Sequence, residues 1–137
     1  MIELDASYQL ALANQIGSLS TFLGGFSATF FVTMLTLAKP GTVARMSIGA
    51  SALAAVAFIV AAGTSVTLTF TLHPAAPPTV ADNPTDALRA MLAASFVTGM
   101  VALLAAIGIG GWIRSRVLGV FTSVVSVGGL VLIVLQM

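Results

Sequence analysis

The sequence predicts an all-α, polytopic membrane protein: a bundle of four transmembrane helices with both termini outside. Three observations lead there. Only 7% of the 137 residues are charged against 58% hydrophobic, whereas about a quarter of a soluble domain is charged. Five basic and four acidic side chains cannot supply a polar skin, so a single integral membrane domain over 1–137 is expected. Four charge-free stretches are each long enough for a hydrocarbon core of about 30 Å, and the basic residues gather in the short turns between them, as cytoplasmic residues do.

Helix one is expected over about 14–38, with Gly17 to Leu37 in the membrane. Asp5 could cap a helix beginning at Ala6, with Ser7 as the rival cap. Unbroken from Ala6 to Ala38, such a helix would be about 50 Å long, so a bend or an outward projection is expected near Asn14 to Gly17, with Tyr8 at headgroup level. Asn14, Ser18, Thr21, Gly25, Thr29, Thr33 and Thr36 recur every three or four residues and share one helical stripe. A bulky stripe of Leu12, Leu19, Leu23, Phe26, Phe30, Met34 and Leu37 is turned away from it. Lys39-Pro40-Gly41-Thr42 then turns the chain back.

Helix two is expected over about 43–66, with a small-residue seam of Ala50, Ala54, Ala57, Ala61 and Ser65. Beyond it, Thr67, Thr69 and Thr71 alternate with apolar residues, so 66–72 is either extended chain or a longer helix. The 73–86 segment holds Pro74, Pro77, Pro78 and Pro84 and must lie outside the lipid, where water satisfies its backbone. Asn83 as cap, Pro84 in the first helical position and Asp86 in the first turn start helix three, about 84–113. Its seam is Ser95, Gly99, Ala102, Ala106 and Gly110. Trp112, Arg114 and Arg116 anchor the interface before helix four, about 117–135, whose Gly119, Thr122, Ser123, Ser126 and Gly129 lie roughly on one side.

Lys39, Arg45, Arg114 and Arg116 fall on one side of the membrane; Glu3, Asp5, Asp82, Asp86 and Arg89 fall on the other. The positive-inside rule makes the first side cytoplasmic, leaving the termini and the 73–86 loop outside. Compact loops and an Ala/Gly/Val-rich composition point to a bacterial inner membrane. An acidic opening is unlike a cleavable leader.

Chemistry is sparse. No ionisable group lies within a span, apart from Arg45 and Arg89 at span ends, so proton-coupled transport, pumping and voltage sensing are not expected. His73 has no paired nucleophile and orienting acid, and reads as a loop residue. Glu3, Asp5, His73, Asp82 and Asp86 match no metal spacing, and Gly108-Ile109-Gly110-Gly111 ends a helix and does not open a nucleotide loop. No catalytic residue, metal or cofactor is therefore expected, and a net charge of +1 offers nothing to nucleic acid.

The helix-one stripe has two readings. Small and hydroxylated residues let helices pack closely in lipid; uncharged hydroxyls can also hydrate a passing ion. Ser18 to Thr36 covers about 27 Å, and the stripe carries three threonines in its second half where the other seams are mainly Ala and Gly. The first expectation is thus a homo-oligomeric pore for ions or small polar solutes, lined by helix one. The second is a non-catalytic accessory subunit of a larger membrane complex.

Leu19-Ser20-Thr21-Phe22-Leu23-Gly24-Gly25-Phe26-Ser27 resembles the pore helix of Orai-type calcium channels, which are also four-helix proteins. The resemblance covers this run alone. Thr33 stands where that family carries its selectivity glutamate, and the expected termini face the opposite way, so no site residue or calcium selectivity is carried over.

Overall fold

The computed structural model describes residues 6–37, 41–77, 79 and 84–135. These residues form four long helices and no strand: α1 (Ala6–Leu37), α2 (Thr42–Leu72), α3 (Thr85–Gly110) and α4 (Arg116–Leu135). A 3-10 turn, Gly111–Ile113, joins the last two. Three segments, Ser7–Leu37, Thr42–Leu72 and Thr85–Ile113, are long and apolar enough to cross a membrane; the apolar part of α4, Arg116–Leu132, is shorter.

Both uncertain segments are helical. The α1 helix runs unbroken through Asn14 to Gly17, and Ser7 lies inside it instead of capping it. Asp5 is outside the described residues. The 66–72 stretch continues α2, and the extended alternative fails for a local reason. Thr67, Thr69 and Thr71 lie within 3.1 Å of the carbonyls of Gly63, Ser65 and Thr67, four residues back. The helix absorbs their hydroxyls, so alternation alone does not make a strand. Gly41 caps α2 in an extended conformation, φ −179° and ψ 161°; Lys39 and Pro40 are not among the described residues. One position later than expected, Thr85 opens α3 with Pro84 as its cap, and Asp86 sits in the first turn. Pro78, Asp82 and the expected cap Asn83 also lie outside the described residues.

The helices are arranged in a row with α2 central. It packs along both α1 and α3; α4 packs on the last turns of α3; α1 and α4 do not meet among the described residues. Over the most apolar 18 residues of each, 39% are buried in α2 but 17% in α1. The small-residue seams explain the close approach of α2, α3 and α4, because Ala54, Ala57, Ala61 and Ser65, then Gly99, Ala102 and Ala106, then Gly119 and Ser126, are buried.

Phe58 forms the centre. It is wholly buried, its neighbours in the cluster are Ala54, Ala102 and Leu103, and Leu23 of α1 packs against them. A Cβ on Gly24 would meet Phe58 Cβ at 3.3 Å, and one on Gly99 would meet its ring at 2.9 Å. Two glycines from opposite flanking helices therefore leave room for one phenylalanine. The Ser47 hydroxyl adds a cross-helix bond to Ala106 O, 3.0 Å. Large apolar residues such as Ile59, Phe121, Val124 and Leu132 remain exposed, as lipid-facing side chains do.

Candidate functional site

All seven stripe residues, Asn14, Ser18, Thr21, Gly25, Thr29, Thr33 and Thr36, are exposed. The face of α1 that packs on α2 is another one: Ala13, Gly17, Ser20, Gly24 and Ser27 are buried there, also at spacings of three and four. At 100° per residue the two faces lie roughly 130° apart. Intramolecular packing thus uses Gly17, which has no room for a Cβ beside Ser65 Oγ. Ser20 Oγ is buried in this contact with no hydrogen-bond partner among the described residues.

The stripe hydroxyls are tied to their own helix. Thr21 donates to Gly17 O (2.9 Å), Thr29 to Gly25 O (2.9 Å), Thr33 to Thr29 O (2.8 Å), and Thr36 to Val32 O or Thr33 O (3.1 Å each). The hydroxyl protons of these four threonines are thereby used within the helix, and what remains on their oxygens is acceptor capacity. A helix can carry such a stripe into lipid at low cost, and can equally present it to water.

The two ends of the stripe border different spaces. Asn14, Ser18 and Thr21 line a groove of about 440 Å³ together with Ser65 and Thr69 of α2. The Thr69 hydroxyl lies 2.9 Å from Ser65 O and 3.3 Å from Asn14 Oδ1. Thr69 lies in the 66–72 stretch whose alternation also fits extended chain; its helical spacing from Ser65 is the signal that brings it to this groove. Thr33 borders a second cavity at the opposite end, with Thr122 and Arg114.

Tyr8 is 56% exposed near the start of α1. On the same end, Arg89 pairs with Asp86 at 3.3 Å and donates to Gln9 Oε1. His73 ends α2, its Nδ1 accepting from the Ala75 N–H at 3.2 Å. Trp112 holds the turn between α3 and α4. Its indole covers Gly119, where a Cβ would come within 2.5 Å of the ring, and its Nε1–H donates to Ser123 Oγ at 3.0 Å, clasping the turn between α3 and α4. Arg114 and Arg116 are exposed beside it. Of the acidic residues and histidine only His73 and Asp86 are described; Glu3, Asp5 and Asp82 lie outside the described residues.

Comparison with protein-family models, curated proteins and solved structures returned no match, so the Orai-like run in α1 is unsupported beyond its own residues.

Proposed function

We propose that this chain is a non-catalytic, homo-oligomeric membrane pore that passes ions or small polar solutes along α1. One observation carries the reading: the hydroxyl stripe is exposed from Asn14 to Thr36, while a separate face does the close packing within the chain and only Asn14 of the stripe reaches α2 by a hydrogen bond, at Thr69. Four helices in a row enclose no internal channel, so a path along the stripe needs several copies, each contributing α1. Acceptor oxygens facing a path favour cations and water over anions.

The orientation proposed with it puts Arg45, Arg114 and Arg116 in the bacterial cytoplasm and the 73–86 segment outside, by the positive-inside rule. Labelling of an Ala75→Cys variant by an impermeant reagent on intact cells tests that placement; reaction only after lysis reverses it.

The accessory-subunit reading loses part of its basis. The seams of α2, α3 and α4 are buried or half-buried within the chain, so a docked partner would use the α1 stripe, the exposed Ala90, Ala94 and Ala105 of α3, or the 73–86 loop. Reconstitution separates the two. Purified protein in liposomes is expected to pass small cations, and Thr29→Val together with Thr33→Val to lower that flux by about thirty-fold, on the order of 1 kcal/mol for each coordinating oxygen lost. Conductance and selectivity unchanged by the double substitution would remove α1 from the path. Stoichiometric co-purification with one larger protein would favour the accessory role.

A further inference from the structure

We propose that the gap between α1 and α4 is a binding site for one anionic phospholipid, with the phosphate on Arg114 and the upper part of an acyl chain between the helices. The cavity measures about 670 Å³ and is walled by Phe30, Met34 and Leu37 of α1, Ile107 of α3 and Leu118 of α4, with Arg114 beside them. Its volume falls in the range of about 300–1,000 Å³ typical of small-molecule sites, which are mostly apolar with a few fixed polar groups. From Phe30 to Leu37 it extends roughly 10 Å along the helix, the depth of a partly inserted chain.

Charge complementarity selects the occupant. The other polar side chains of the cavity are already bonded: Thr33 to Thr29 O, and Thr122 within 3.2 Å of Gly108 O and 3.0 Å of Leu118 O. The Arg114 guanidinium has no hydrogen-bond or ion-pair partner among the described residues, and the acid described there, Asp86, lies at the opposite end beside Arg89. An apolar slot with an unpaired cation at its edge fits an amphiphile carrying a negative head. Basic pockets between membrane helices bind anionic headgroups on the same principle. The site rests on the cavity and on Arg114; Thr33 is the one residue it shares with the stripe of the proposed pore.

Native mass spectrometry of the full chain, released from mild detergent with phosphatidylglycerol or phosphatidylcholine of matched acyl chains, tests it. Wild type is expected to retain the anionic lipid about five-fold better, the preference one arginine supplies at a membrane surface. Arg114→Gln should abolish that preference, Arg116→Gln should keep it, and the cavity-filling Leu118→Phe should reduce retention of both lipids. Equal retention of the two lipids by wild type, or equal losses in the Arg114 and Arg116 variants, would overturn the site. So would displacement of phosphatidylglycerol by inorganic phosphate, which marks a headgroup site without a chain slot. A dimer that binds neither lipid would place a second copy in the gap and overturn it as well.

Discussion

Phe58→Ala is expected to destabilise the folded chain by roughly 3 kcal/mol, the low end of the range for phenylalanine truncation in a core. The low end applies because lipid offers an apolar alternative to burial, so what is lost is mainly dispersion contact and shape. Phe58 is fully buried, packs edge-to-face with Phe96 at 6.0 Å and 71°, and fills the space that Gly24 and Gly99 leave open. Truncating it opens a hole that two glycine backbones cannot refill. Gly99→Leu applies the converse stress, since its side chain must displace a ring only 2.9 Å from the new Cβ, and overpacking costs about 1–3 kcal/mol. Unfolding in mixed detergent micelles, read from the emission of the single tryptophan, measures both. A loss below about 1 kcal/mol for Phe58→Ala, well under that range, would show that α1, α2 and α3 do not meet on this side chain.

A paired lysine substitution separates a water-facing stripe from a lipid-facing one. Thr29 lies near the middle of the apolar part of α1, and Ile59 lies near the middle of α2 with 65% of its surface exposed. A lysine at the centre of a lipid-facing helix costs about 3 kcal/mol, whereas one facing a water-filled path keeps its hydration. Thr29→Lys is therefore expected to insert and assemble like wild type, and to suppress cation flux by placing a fixed positive charge in the path. Ile59→Lys should accumulate poorly and lose roughly 3 kcal/mol of stability. Equal damage from both lysines would put Thr29 in lipid.

The parts of the fold that could be read beforehand were those a single helix encodes. The seams on α2, α3 and α4 stand out because each carries one repeating small-residue pattern, and those positions are buried or half-buried in the bundle. Two such patterns overlap on α1, one of Asn, Ser and Thr and one of Ala13, Gly17, Ser20, Gly24 and Ser27. Spacing does not rank them. What decides is that a Gly17 Cβ would collide with Ser65, a fact about two helices at once. Phe58 was hidden for the same reason: a bulky residue beside an alanine seam looks lipid-facing until the glycines opposite it are known. The alternating threonines of 66–72 leave extended chain and helix open because their period matches a strand, while their hydroxyls are satisfied as well by a helix. The Arg114 cavity exists only because α1 and α4 fail to touch, which no local pattern records.

Cysteine scanning shows whether the α1 stripe faces water inside an assembly, since the chain has no cysteine of its own. A thiol ionises, and so reacts with a charged methanethiosulfonate reagent, only where water reaches it. Cysteines at Thr21, Gly25, Thr29 and Thr33 are expected to react in intact membranes, with Ala75→Cys as the exposed-loop control and Val56→Cys and Ile59→Cys staying inert. Stripe cysteines as unreactive as those two lipid-facing positions would contradict the pore outright.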